Sequence, residues 1–206
     1  VNKIVDDLLA DKISSRECWE DLCRSVKKIE KAEFDRFIHS QETELTFHRF
    51  VEYCSINNHE LFIISDGFDY YINKILSREN LSHLKVYSNS LVLSEEGKLI
   101  PSFPFYCDEF RSSSNCKRNH IIGNSSDDDY TIFIGDGSSD KEAIHYVDFI
   151  FAKDDLLKFC EINRITFFPF KNFDDVIILL NELSSKKRLK KRFQSVLKRR
   201  EAYLVE

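Results

Sequence analysis

The sequence predicts an α/β protein, with a parallel sheet covered by helices and a helical segment ahead of it. Three observations carry this. Short, continuously apolar runs such as "LFII", "TIFIG" and "DFIFA" are the pattern of strands buried on both faces. From residue 60 onward such runs alternate with helix-like ones, as in chains built from βα units. Residues 1–53 instead place apolar side chains at i, i+3, i+4 spacing and contain no glycine or proline, the pattern of amphipathic helices.

Taken in order, the helical opening runs through "VNKIVDDLLADKISSRECWEDLCRSVKKIEKAEFDRFIHS" and "ETELTFHRFVEYC". "ELFIIS" reads as a strand, "DYYINKILSREN" as a helix and "LKVYSN" as a strand. A segment at about 92–116 holds all of the proline except Pro169 and reads as a loop insertion. "YTIFIG", "DFIFA" and "ITFFPF" are further strands, and "KEAIHYV", "DDLLKFCEIN" and "FDDVIILLNELSS" are helix-like runs between and after them. The expected organisation is a helical part at 1–53 and a sheet-bearing part at 54–206 that ends in a basic helix.

The chain has 206 residues, 42% of them apolar, enough to bury one full core with room for a small subdomain. Its six cysteines are scattered, and neither an apolar leader nor a run of eighteen apolar residues is present. That argues against a disulfide framework or a membrane span and fits a reducing cytoplasm. The chain opens on Val1 and contains no methionine, so we expect it not to be a complete gene product. The net charge of −5 is unevenly spread, since Lys186 to Arg200 holds nine basic residues and no acid. Leu189, Phe193, Val196 and Leu197 recur there at helical spacing. Nucleic-acid or membrane-surface binding would suit that pattern, but a solvated face on a docked helix produces it equally, and we take the latter reading.

The chemistry is sought at the carboxyl ends of the strands, where open parallel sheets gather ligands. "LFII" ends in Ser65-Asp66-Gly67, and "TIFI" ends in "GDGSSD", Gly135 to Asp140. Glycines at such exits let backbone N–H groups approach an anion. Asp136 at the strand tip and Asp140 four residues on could converge on one hard cation, with Mg²⁺ the natural choice. A helix-capping turn is the plain structural alternative for "GDGSSD".

A strand ending in Ser65, the lone Lys117 of "SNCKRNHII" and a strand ending in "GDGSSD" stand in the order seen in the haloacid dehalogenase superfamily of phosphatases. The chain resembles its phosphoserine-phosphatase-like branch, and most closely the methionine-salvage phosphatases, through "FIISDGFDYYI", "VYSN", "IPSFPF", "NCKRNH", "IGDGSSD" and "DFIFAKDDLLKFC". The resemblance implies a Rossmann-like core with a small helical cap and Mg²⁺-dependent hydrolysis of a small phosphorylated metabolite. It implies that Ser65, Asp66, Gly67 and Lys117 contact the substrate, with Ser65 and Lys117 acting on the phosphoryl group, and that Asp136 and Asp140 hold the metal.

The departures are equally specific. The superfamily's nucleophile lies in a D-x-D motif on a strand ahead of the cap, and no such strand precedes the helical opening here. We therefore expect an additional N-terminal strand in the intact protein. The alternatives are an inactive phosphate- or metal-binding relative, or a module acting through its basic tail. Relatives often carry clustered cysteines before the lysine, where this chain has Phe110 and Ser113, and Cys107, Cys116 and His120 lack a fourth zinc ligand nearby in sequence. His39, His48, His59, His83 and His145 read as structural or solvent-facing. Cys54 and Cys160 read as core.

Overall fold

A computed structural model describes residues 2–204; residues 1 and 205–206, at the ends of the two expected segments, lie outside the described residues. Four helices open the chain, α1 (Asn2–Leu9), α2 (Ser15–Ser25), α3 (Lys31–His39) and α4 (Phe47–Ile56). Then come β1 (Phe62–Phe68), α5 (Asp69–Arg78), β2 (Lys85–Leu93), β3 (Leu99–Ser102) and α6 (Lys117–Gly123). The remainder is β4 (Ile132–Gly135), β5 (Phe149–Ala152), α7 (Asp154–Ile162), β6 (Phe168–Pro169), α8 (Phe173–Ser184) and α9 (Phe193–Tyr203). The chain divides into two units, one comprising the residues up to Thr43 with Leu61–Cys116, the other Glu44–Glu60 with the residues from Lys117 onward.

In the first unit β1 and β2 pair in parallel, Phe62 opposite Lys85 and Ile64 opposite Tyr87. The segment expected to be wholly loop contributes β3, which returns antiparallel along β2 from Ser90–Ser102 to Leu93–Leu99. Its turn is closed by Gly97 at φ +80°, where a Cβ would also meet the Ile29 carbonyl oxygen at 2.6 Å, so only glycine fits. Helix α2 begins on a capping box: Ser14 Oγ accepts from the Glu17 N–H, and Glu17 Oε2 accepts from the Ser14 N–H. The core gathers Cys23, Phe68 and Leu91 with Trp19, Phe34 and Tyr71 against them.

In the second unit β4, β5 and β6 form a parallel sheet, with Ile132 opposite Phe149 and Phe151 opposite Phe168. The central strand β5 is continuously apolar because both of its faces are covered: Ile150, Phe151 and Ala152 are almost fully buried. Ile144, Leu156 and Cys160 complete the core, and Cys54 is also buried, as their spacing predicts. The "KEAIHYV" run is not an α-helix. Two short 3₁₀ turns, Ser138–Asp140 and Ala143–Tyr146, connect β4 to β5, because the Asp148 and Phe149 N–H groups must already reach the Thr131 carbonyl and too little chain remains for a full crossover helix.

The basic tail also differs from its sequence pattern. Helix α9 starts at Phe193, after Leu189, because the Lys191 ammonium and the Arg192 guanidinium each bind a carbonyl, of Asp127 and Ile144 respectively. Arg199 is buried, paired with Asp148 at 3.3 Å, and donates to the Tyr146 carbonyl and the Thr131 hydroxyl. No described helix is long and apolar enough to cross a membrane.

Candidate active site

The first expected strand exit, Ser65 to Gly67, instead lies inside β1 as a β-bulge. Ile64 faces Tyr87 and Phe68 faces Asn89, so Ser65, Asp66 and Gly67 occupy a length that β2 spans with Ser88 alone, and the backbone is forced outward. Two buried asparagines hold it there. Asn89 Nδ2 donates to the Asp66 carbonyl (2.8 Å) and to Ser114 Oγ (2.7 Å). Asn115 Nδ2 donates to the carbonyls of Ser65 (2.8 Å) and Tyr87 (2.9 Å). Ser65 Oγ accepts the Gly67 N–H at 3.0 Å, which leaves its own O–H available as a donor. The Asp66 carboxylate turns to the loop, accepting from the Ser113 hydroxyl (2.7 Å) and the Ser114 N–H (3.4 Å). Asp66 thus orients the bulge through its side chain.

The second strand exit, in the other unit, assembles around Asp140. Its Oδ2 accepts the N–H groups of Asp136 (3.2 Å) and Gly137 (3.0 Å), and its Oδ1 accepts the Lys117 ammonium at 2.5 Å. Lys117 also donates to Ser139 Oγ at 2.9 Å. Gly135 makes this possible, since a Cβ there would lie 2.5 Å from Asp140 Oδ2. Lys117 and Asp140 are both buried, so the pair is shielded from solvent and its geometry is held by hydrogen bonds on every side. Asp136, at the strand tip, is exposed.

Of the residues singled out by sequence, Asp136 and Asp140 therefore share one turn, and Lys117, from the start of α6, reaches its Asp140 and Ser139. Ser65, Asp66 and Gly67 share one bulge. Asn89, Ser113, Ser114 and Asn115 were missed as site residues, although a wholly buried asparagine within an apolar strand is itself a signal that a hydrogen-bonding task is fixed there. Asp136 offers an exposed carboxylate at the strand tip, whereas both carboxylate oxygens of Asp140 already accept hydrogen bonds, so the first oxygen a hard cation meets here is that of Asp136. Among the described residues no group of three or more His, Cys, Asp or Glu side chains forms a cage of its own.

No protein-family model matches the chain. Solved structures place the fold. A phosphoserine phosphatase, recorded as a phospho-aspartyl intermediate analogue, aligns with TM-score 0.62 over 88% of this chain and 83% of its own, at 19% identity. A probable phosphoserine phosphatase of Vibrio cholerae aligns with TM-score 0.67 over 93% of this chain and 58% of its own, at 14% identity. The fold is that of the haloacid dehalogenase phosphatases. In sequence, a protein of Bacillus mycoides (strain KBAB4) named 2-hydroxy-3-keto-5-methylthiopentenyl-1-phosphate phosphatase is 32% identical over 184 residues, 88% of this chain and 83% of that protein. A protein of the same name from Bacillus thuringiensis (strain Al Hakam) is 28% identical over the same shares. The chain belongs to this family of haloacid dehalogenase-type phosphatases.

Proposed function

We propose that the intact protein is a Mg²⁺-dependent phosphatase of a small phosphomonoester, of the class represented by 2-hydroxy-3-keto-5-methylthiopentenyl 1-phosphate, acting in the cytoplasm through an aspartyl-phosphate. The observation that carries this reading is the buried Lys117 ammonium, fixed between Asp140 and Ser139 in the turn that follows β4. Phosphoryl transfer is catalysed mainly by positioning and charge stabilisation, and a fixed, desolvated cation is suited to that task. Lys117 neutralises charge on the transferring group, and Ser65 donates its free hydroxyl hydrogen to a phosphoryl oxygen. Gly67 brings its backbone beside the Ser65 hydroxyl, and Asp66 keeps the bulge in shape.

Asp136 and Asp140 would hold Mg²⁺, which when bound offsets phosphoryl negative charge. Asp140 has a second task, because it also orients Lys117 and the loop N–H groups. The helices of residues 1–53 serve as a cap that excludes water and selects the substrate. The reading requires a nucleophilic aspartate, and among the described strands none ends in a D-x-D motif.

Rapid acid quenching of the intact protein during turnover tests the covalent step. The expected product is protein-bound phosphate that is stable to acid and released by hydroxylamine. Turnover of methylthiopentenyl phosphate without such a species would refute the aspartyl-phosphate. Failure to hydrolyse any phosphomonoester, with inorganic phosphate still bound, would replace the enzyme by an inactive phosphate-binding relative.

A further inference from the structure

Two tyrosines follow each other at the start of α5, and their hydroxyls have different fates. Tyr70 stacks on Phe34 and donates to Asp35 Oδ1 at 2.8 Å, and burial together with that carboxylate pushes its phenol up to about 12. Tyr71 turns instead to the Ser65–Gly67 bulge. The point that a Cβ on residue 67 would occupy lies 2.1 Å from the Tyr71 hydroxyl oxygen, 2.9 Å from its Cζ and 3.1 Å from Ser65 Oγ. The phenol therefore fills the notch left by the missing side chain of Gly67, and the two hydroxyls border one small space.

We propose that Tyr71 is a further substrate-contacting residue, its phenolic O–H donating to an oxygen of the phosphoryl group alongside Ser65; this rests on the phosphatase reading above. Several observations agree with it. The ring is anchored against Phe68, edge to face at 6.3 Å, in the cluster that also holds Trp19 and Cys23, so the hydroxyl is presented by a fixed body with little entropy left to lose. Among the described residues the Tyr71 O–H donates to none. Burial raises the phenol above its ordinary value, opposed by the Phe68 backbone N–H and reinforced by the Asp66 carboxylate, which keeps it protonated and able to donate at neutral pH. Gly67 thereby gains a specific purpose. Any side chain there would expel the phenol from its seat.

The test compares the intact wild-type protein with Tyr71→Phe, Gly67→Ala and the double variant. It uses calorimetric binding of inorganic phosphate and the kcat and KM of para-nitrophenyl phosphate hydrolysis, with melting temperature measured in parallel. Removing a donor to a charged acceptor should weaken phosphate binding about tenfold in Tyr71→Phe, with an unchanged melting temperature because the ring remains. Gly67→Ala should lose a comparable factor by displacing the phenol, and the double variant should lose little more than either alone. Wild-type phosphate affinity and KM in Tyr71→Phe would overturn the proposal while leaving the phosphatase reading intact, as would full additivity of the two changes. A wild-type protein that neither binds phosphate nor hydrolyses the ester would overturn both.

Discussion

Lys117 and Asp140 form a buried ion pair at 2.5 Å, with side-chain exposures of only 8% and 7%. Asp136, four residues before Asp140, is exposed. The two aspartates should respond differently to neutralisation. Asp140→Asn strands a buried ammonium and should cost about 3 kcal/mol of stability or more, together with most of the activity. Asp136→Asn should leave unfolding unchanged and raise the Mg²⁺ concentration needed for half-maximal rate by at least about tenfold. Urea unfolding and Mg²⁺ titration of both variants check this, and equal loss of stability would show that Asp136 is structural.

Lys117→Ala should lower kcat/KM by about a hundredfold or more, through loss of charge stabilisation of the transition state. Ser65→Ala, which removes a neutral hydroxyl, should lower it by about tenfold. Steady-state kinetics on para-nitrophenyl phosphate gives both numbers. The reverse ranking would exchange the importance assigned to the two groups.

The tail helix is held by a buried pair. Arg199→Ala leaves Asp148 without its guanidinium, although Asp148 still accepts from Ser195 and Thr131, and should cost about 3 to 5 kcal/mol. Lys198→Ala, on the exposed side of the same helix, should change stability by less than about 0.5 kcal/mol. Denaturant midpoints compare the two. A small effect of Arg199→Ala would mean that α9 is not part of the cooperative fold.

Burial lowers the His145 imidazole below its ordinary 6.5; Arg192 and Lys198 add to the shift and Glu142 opposes it. The folded protein then binds fewer protons than the unfolded chain in the interval just below pH 6.5. This contribution to stability is present above that pH and is lost as pH falls through the folded value. His145→Gln should flatten the fall of the urea midpoint between pH 6.5 and 5.5. A midpoint slope identical to that of the wild type would contradict the shift.

Cys54, its thiol pushed up to about 11 by burial, should resist alkylation at pH 8 in the native protein. Among the described residues Cys107 is the one cysteine that is not buried. Mass spectrometry after brief native labelling should find Cys107 modified first. Early labelling of Cys54 would show that α4 opens readily.

The alternation of strands and helices was legible because β1, β4 and β5 begin on short apolar runs, two of which lead into glycine and aspartate. Asp136 lies just past the end of β4, where its run stops, whereas Ser65 lies inside β1 rather than at its end. The bulge at Ser65 was not legible, because its shape depends on Asn89 and Asn115, which are distant in sequence and share no periodicity with it. The pairing of Lys117 with Asp140 likewise joins groups 23 residues apart. In the tail, a count of basic residues treats Arg199 and Lys198 alike. The Asp148, Tyr146 and Thr131 oxygens that face Arg199 explain why one is buried and the other exposed.

The central claim is tested most directly by phosphate release from para-nitrophenyl phosphate by the intact protein, in Mg²⁺ and again after chelation by EDTA, with Lys117→Ala as the control. The account predicts Mg²⁺-dependent release that EDTA abolishes, added Mg²⁺ restores and Lys117→Ala largely removes. Release that is indifferent to EDTA and to Lys117, or no release at all, would contradict it.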